Sequence, residues 1–394
     1  MHNTQVKADV LVVGGGAAGI AAAVAAARNG SSVILIEKNA QFGGKATSAV
    51  VGTICGAHYR SSNPESKYVT NGFAREFCEA VSRKGKTTAI HHYQGNLHFL
   101  PYKPFPFALV ADELLKAESN IRIFHHAVIT EVATENGIIS SVTFLNYREE
   151  TTITPKKVID CTGESTVSIL AGIPTSTQEY YQASAMVFTL ENIKPSTPVQ
   201  LSLNIIRALK KAILENKLPP ELDKVSLVPG SLTEGSLMLK IALPYLIDNS
   251  PNNKTEVEQL GRQAVQKVFD CITERVSFFQ DSHLGLVAPE VGTRTGQLSE
   301  GIETLTKKDV LECVKHENGI AKGAWPIEIW LPGKNVALQF FDEDAYYEIP
   351  AGCLVSKHLE NLYFAGRIIS ADQEAIASAR VIGTCLSTGF AAGT

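Results

Sequence analysis

The sequence predicts an α/β protein: a parallel-sheet domain interrupted by an inserted α+β domain. Three observations predict it. An apolar strand, a glycine turn, an alanine-rich helix and a second apolar strand follow one another within the first 36 residues. A short apolar strand running into Gly366 returns near the C-terminus. Between about 176 and 334 the texture changes to longer amphipathic helices with isolated strands. With 394 residues, 44% of them hydrophobic, the chain is long enough for two interwoven domains.

Residues 8–13, apolar except for Asp9, read as a parallel strand buried on both faces. Ala17–Arg28 is a strong helix former stopped by Asn29 and Gly30, and residues 32–36 are again short, β-branched and apolar. Residues 71–83 place Phe73, Phe77, Ala80 and Val81 at helical spacing. Three prolines among aromatics in 98–107 predict an extended loop, after which 107–117 resumes helical character. Residues 121–124, 128–133 and 138–145 read as strands, the last two joined by a tight turn at Glu135-Asn136-Gly137. Residues 158–161 form a further buried strand. In the insert, 185–190 and 237–243 read as strands, and 203–214 and 256–278 as amphipathic helices. Residues 361–365 are a strand, and a helical tail follows from about Thr384.

Bulk properties exclude several classes. A net charge of −4 with dispersed basic residues gives no footprint for nucleic acid or an anionic membrane. The seven cysteines, odd in number and never at CxxC spacing, fit reduced thiols in a cytoplasmic protein rather than a disulfide framework, a cluster or a zinc knuckle. The apolar run 10–27 mimics a membrane helix, but Gly14 to Gly16 interrupt it, so no membrane insertion is expected. His91-His92 and His125-His126 are adjacent pairs whose rings point to opposite faces of a strand, so no metal site is expected. Cys55 reads as a small buried apolar residue rather than a nucleophile.

The chemistry concentrates in one turn. Gly14-Gly15-Gly16-Ala17-Ala18-Gly19 fits GxGxxG, follows a buried strand and opens a helix. Gly14 permits the tight turn, Gly16 lets a pyrophosphate approach the backbone, and Gly19 lets helix and strand pack closely. The helix start supplies unpaired N–H groups and a positive dipole end. Glu37, at the end of the second strand, is placed to accept hydrogen bonds from ribose hydroxyls. A dinucleotide ligand follows. The next segment does not repeat the strand–helix rhythm of a nicotinamide domain. It runs through Gly43-Gly44-Lys45-Ala46-Thr47 into VVGTICG, a glycine-studded stretch suited to lying against a flat ring.

Four stretches, ADVLVVGGGAAGIAAAVAAARNG…VILIEK, FGGKATSAVVGTICG, KKVIDCTGE and YYEIPAGCLVSKHLENLYFAGRIISADQEAIASARVIGTCLSTGFAAG, resemble the FAD-dependent oxidoreductase family with a glutathione-reductase-type flavin domain. The last looks like the bacterial flavoprotein group that ends in GR-x-x-S…EA…R. The resemblance implies a Rossmann-like FAD-binding domain over 1–90, 105–175 and 335–394, with a substrate or cap domain over 176–334. It implies that Gly14, Gly16, Ala17, Ala18, Gly19, Glu37, Lys38, Gly43, Gly44, Lys45 and Thr47 meet the adenosine and diphosphate half. Val128 would contact adenine through its backbone, and Thr162-Gly163 would be a second FAD contact. Gly366 and Arg367 would lie by the diphosphate and ribityl chain, with Arg380, Ile382, Gly383 and Thr384 near the flavin ring. A guanidinium and a helix start there would stabilise negative charge on the ring.

The chain departs from the family's pattern in three places. Gly292-Thr293-Arg294-Thr295-Gly296-Gln297 keeps only the first arginine of G-x-R-E-x-R, Gln373 stands where His often precedes Glu-Ala, and the chain stops at Thr394 within a helix. The expected activity is hydride transfer between a small organic substrate (amine, hydroxyl or C–C unit) and flavin N5, with Arg294 and Arg380 as catalytic candidates. The electron acceptor is left open between oxygen, a quinone and a partner protein. The end at Thr394 leaves room for trimming or for a helix completed by a partner in an oligomer. An FAD-binding subunit of a hetero-oligomer, with a structural or relay role, is the alternative. A tRNA-uridine-modifying flavoprotein would need a basic RNA-facing surface and a long helical extension, which this sequence lacks.

Overall fold

The computed structural model describes residues 3–176, 178–179, 181–245, 247–248 and 250–394. The first strand, β1 (Asn3–Val13), the helix α1 (Ala17–Arg28) and the second strand, β2 (Val33–Ile36), form as the sequence predicts. β1 is flanked by parallel neighbours: β2 pairs Val33 with Val10, and Glu149–Asp160 pairs Asp160 with Val13. Ile121–Phe124 adds in parallel beyond β2. A central parallel strand is covered on both faces, which is why Val10 through Val13 are all buried.

The sheet divides along Glu149–Asp160. Its first half pairs antiparallel with Ile138–Asn146, which turns back through Asn136 and Gly137, both at positive φ, onto Ala127–Glu135. Its last residues pair in parallel with Leu362–Phe364. This strand is far longer than the four residues the sequence predicts, because its polar first half has no apolar run to announce it. Pro155 sits between the end of one pairing, at Ile153–Val142, and the start of the other, at Val158–Leu362. On that side its missing N–H therefore costs no ladder bond.

The extended loop expected over 98–107 is corrected. Leu97–Pro101 is a strand and Pro104–Lys116 a helix. Pro104 and Pro106 occupy the first helical turn, where backbone N–H groups lack helical acceptors in any case, so proline starts this helix rather than breaking it.

The inserted region holds a four-stranded antiparallel sheet in the order Val225–Leu227, Ser236–Ala242, Ala185–Glu191, His283–Val287. Along Ser236–Ala242 burial alternates: Leu237, Leu239 and Ile241 are fully buried in a cluster with residues of the helices Pro198–Leu214 and Pro251–Arg275. The opposite face, with Lys240 paired across to Val187, looks into a cavity.

The C-terminal helix Ile382–Gly393 lies on α1. Added Cβ atoms at Gly389 and Gly393 would fall 2.1 Å from the Ala18 carbonyl oxygen and 2.3 Å from that of Ala22. Small residues one helical turn apart let the two backbones touch, and this contact carries the end of the chain back to its beginning. Among the described residues no single helix is long and apolar enough to cross a membrane. Gln373–Ala379 and Ile382–Gly393 reach that composition only as a pair bent by 95°.

Candidate functional site

The parallel strands β1, Glu149–Asp160 and Leu362–Phe364 end at one edge of the sheet, and open α/β sheets take ligands at the carboxyl ends of such strands. A cavity of about 760 Å³ opens there. It runs from the glycine turn after β1 to the exposed-face residues of the antiparallel sheet.

At the first end backbone makes the wall. Gly14 has φ +98°, and a Cβ there would stand 2.7 Å from the Cys161 carbonyl oxygen. A side chain at Gly19 would lie 1.8 Å from the Gly14 carbonyl oxygen, so Gly19 packs behind the turn rather than lining the cavity. Gly16 caps α1 without a side-chain hydrogen bond, and Gly16, Ala17 and Ala18 face the cavity. The first amides of α1 are thus left for a ligand. Gly43 and Gly44 cross over this turn: the Gly43 amide donates to the Gly15 carbonyl at 2.8 Å, and a Cβ on Gly44 would be 3.0 Å from the Gly16 Cα. Thr47 is buried behind the loop, its hydroxyl donating to the Phe42 carbonyl at 3.0 Å.

Glu37 lines the cavity but is already engaged. Gly15 N–H donates to Oε2 at 2.6 Å and Asn39 N–H to Oε1 at 2.8 Å. Burial pushes its pKa up, opposed by these two amides. Each carboxylate oxygen keeps a lone pair for a further donor. Lys38 and Val128, the latter 53% exposed, also line the cavity. Lys45 Nζ is held 2.6 Å from Glu290 Oε2 and 3.1 Å from the Val291 carbonyl. Burial lowers its pKa and Glu290 raises it.

The middle of the cavity is where the two chain ends meet. Buried Asp160 accepts from the Thr162 amide and hydroxyl at 2.9 and 2.7 Å and from the Val167 amide at 2.9 Å, fixing the Thr162-Gly163 turn. Gly163 has φ +75°, and Arg367 lies so close that a Cβ there would stand 2.4 Å from Nη2. Arg367 Nη1 donates to the Thr293 carbonyl at 3.0 Å, tying the turn after Leu362–Phe364 to the loop that carries Arg294. Gly366, at φ +81°, packs against Ala18. Ile382 lines the cavity, whereas Gly383 and Thr384 stand behind its wall: Gly383 N–H donates to the Cys55 carbonyl at 2.9 Å, and the buried Thr384 hydroxyl has no hydrogen-bond partner among the described residues.

The far end is built by side chains. Arg294 donates to the Ala183 carbonyl and its guanidinium carbon lies 4.4 Å from the Trp330 ring centroid. Burial, then the neighbouring Arg380, brings its pKa down to about 9. Arg380 donates to Gln182 Oε1 at 3.3 Å and to the Glu328 carbonyl at 3.2 Å, and stands 3.9 Å from Glu328 Oε2. It is both an ion-pair partner and a cavity residue. Lys240 Nζ lies 4.7 Å from the Trp330 centroid, and burial followed by Arg294 pushes its pKa down to about 8. Glu328 is held below its usual range: burial would raise it, but Arg380, Lys240 and Arg294 prevail. Cys55 lines this end as a thiol, its pKa pushed up by burial to about 12. Lys240, Glu328, Trp330 and Gln182 were not singled out from sequence. The alternation of Ser236–Ala242, which puts Lys240 on the face opposite Leu239, is a local signal that could have marked Lys240 as facing away from the core, though it says nothing of what Lys240 faces.

A model of the family described as FAD dependent oxidoreductase matches residues 9–394. No curated protein matches the chain by sequence. Among solved structures, the chain is similar to a geranylgeranyl bacteriochlorophyll reductase-like protein of Thermoplasma acidophilum at 13% identity and TM-score 0.47, covering 98% of this chain and 77% of that one. A p-nitrophenol 4-monooxygenase of Pseudomonas putida DLL-E4 aligns at 14% identity and TM-score 0.45, covering 77% and 71%. An anhydrotetracycline hydroxylase of Streptomyces rimosus aligns at 12% identity and TM-score 0.45, covering 76% and 55%.

Proposed function

The chain belongs to the FAD-dependent oxidoreductase family, and from that premise we propose that it transfers a hydride between a small organic substrate and FAD. The residues fit the cofactor. Uncapped amides of α1 and the crossing of Gly16 by Gly44 form a cradle that any Cβ would fill, and it leads into a cavity of about 760 Å³. Gly14, Gly16, Ala17, Ala18, Gly43 and Gly44 would hold the diphosphate, and Glu37 the ribose. Thr162, Gly163, Gly366 and Arg367 would line the middle of the cofactor. When bound, FAD supplies the two-electron acceptor of the reaction.

Residues 1–90, 105–175 and 335–394 are read as the cofactor-binding part and 176–334 as the part that presents substrate. Arg294 orients the substrate, its own guanidinium held by the Ala183 carbonyl and the Trp330 face. Arg380, fixed by Gln182 and Glu328, keeps positive charge at the ring end beside the start of Ile382–Gly393, where the helix dipole adds to it. The single observation behind this reading is that one cavity joins the glycine cradle to a cluster of half-buried cations.

Purified protein should show a flavin spectrum, and anaerobic mixing with amines, hydroxy acids and saturated acids should bleach it for one class. Arg294→Ala should keep its flavin while kcat/KM falls about 100-fold. Unchanged kinetics in that variant would remove Arg294 from the substrate side. A flavin that no small molecule bleaches would point instead to a structural or relay subunit. Reoxidation rates with oxygen, a quinone and cell extract would then sort the acceptors.

A further inference from the structure

The far end of the cavity has unbalanced charge. Lys240, Arg294 and Arg380 are three cations, and Glu328, near Arg380 at 3.9 Å, is the carboxylate among them. The other carboxylates along the wall are engaged elsewhere: Glu37 accepts from the Gly15 and Asn39 amides at 2.6 and 2.8 Å, Glu290 pairs with Lys45 at 2.6 Å, Glu164 with Lys254 at 3.1 Å, and Glu258 accepts from the Val291 amide at 2.9 Å. Among the described residues, Lys240 Nζ meets no carboxylate within 4.0 Å and no hydrogen-bond acceptor, only the face of Trp330. Arg294 has one carbonyl and the same ring. Three cations facing one carboxylate, Glu328, are costly to hold in a partly dehydrated cavity, and a ligand anion would offset that cost.

The wall beside these cations is apolar. Val51, Val187, Val228 and Pro229 line it, with Val187 directly across the strand pair from Lys240. A ligand that satisfies both features carries an anionic head and a hydrocarbon body.

We propose that the substrate is an organic acid whose carboxylate is bound between Lys240 and Arg294 while its apolar body lies along Val51, Val187 and Val228. This rests on reading the cavity as the place where substrate meets the flavin. Arg380 is left to the ring end, because Gln182 and Glu328 already hold it. Lys240 acts here as a binding residue, a role its position on a sheet strand makes rigid.

The groups facing Lys240 are Arg294, Glu328, Cys55 and Arg380. Burial and Arg294 bring its ammonium down to about 8, so it loses its proton within a measurable range. Affinity for an acid should therefore fall as pH rises through about 8, while affinity for a neutral analogue should not.

The test uses flavin-loaded protein with hexanoate and the isosteric neutral hexanamide, read by perturbation of the flavin band and, separately, by the rise in melting temperature. Hexanoate should bind about tenfold or more tightly than hexanamide. Lys240→Met should lose that preference and the pH dependence together, and Lys240→Arg should recover most of the preference. If Lys240→Met fails to fold, Lys240→Gln takes its place, and the wild-type comparison needs no variant. Equal affinities for hexanoate and hexanamide, or an undiminished preference in Lys240→Met, would overturn the proposal. Tighter binding of hexyl phosphate than of hexanoate would overturn the carboxylate assignment. A preparation without flavin colour would count against the cofactor reading, while the melting-temperature arm would still decide on the acid.

Discussion

The two ends of the cavity are made by opposite means. The glycine end is backbone: residues 14–19 and 43–44, close in sequence, shaped by positions where a Cβ has no room. The cationic end is side chain: Lys240, Arg294, the Glu328–Trp330 stretch and Arg380 come from four segments far apart in sequence that the fold brings to one cavity. A site made of backbone is part of the fold, so damage to it is damage to stability. A site made of side chains sits on a fold that stands without it, so damage there should change chemistry and leave the protein intact.

The largest expected effect comes from the backbone end. In Gly19→Val a branched side chain would begin 1.8 Å from the Gly14 carbonyl oxygen, with Cys161 Cβ 3.3 Å away. Helix α1 would have to leave the sheet, costing about 3 kcal/mol or more. The expected protein is colourless and melts far below wild type, or is insoluble. A Gly19→Val protein with full flavin-to-protein absorbance would break the comparison at its root, since the glycine would then have no packing role.

How much of each end could be read from sequence follows the same division. The βαβ unit was legible because its parts are contiguous: an apolar run, GGGAAG, an alanine-rich helix and Glu37 each limit the others. The return of the chain at residues 361–366 was legible as a strand ending in glycine, and the structure places it beside Asp160 as the shared sheet requires. Arg294 was visible only through resemblance. Lys240, Glu328 and Trp330 were not visible, because no local spacing links positions 240, 294, 328 and 380. Their proximity depends on register between strands, such as Val187 opposite Lys240, which sequence does not state. Gly383, Thr384 and Thr47 were expected at the cavity and lie one layer behind it, because a motif marks a segment more sharply than it marks which side chains of the segment face inward. Prolines misled in the opposite way: at 104 and 106 they start a helix that their number argued against.

A smaller effect is expected at the seam between the ends of the chain. In Gly389→Ala one methyl would lie 2.1 Å from the Ala18 carbonyl oxygen, pushing Ile382–Gly393 off α1. The seam also holds Gly366, whose amide donates to the Thr388 hydroxyl at 3.1 Å. The expected cost is about 1–3 kcal/mol, with a lower melting temperature and weaker flavin retention on gel filtration. If the melting temperature falls and flavin stays tightly bound, the C-terminal helix supports the fold but does not shape the cofactor site.

The smallest effect sharpens the comparison, because it reverses the sign. Lys240 is a cation with no carboxylate within 4.0 Å among the described residues, outnumbered with Arg294 and Arg380 against Glu328, on a strand whose other face is core, so removing it should stabilise the resting protein. Its pKa, brought by burial and Arg294 to about 8, lies below the ordinary 10.5 of lysine. Below pH 8 the side chain is charged in both folded and unfolded chains, and the folded protein bears the whole cost. As pH rises from about 8 toward 10.5 the folded protein has released the proton and the unfolded chain has not, so wild-type stability improves. Lys240→Met bears no such cost at any pH. The variant should therefore melt higher than wild type below pH 8, by an amount corresponding to about 1 kcal/mol once water in the cavity is allowed to screen the charge. That margin should shrink steadily above pH 8. A margin that does not change with pH would mean that the ammonium is already paired in solution, and a variant less stable than wild type at pH 7 would make Lys240 part of the scaffold, as the glycines are.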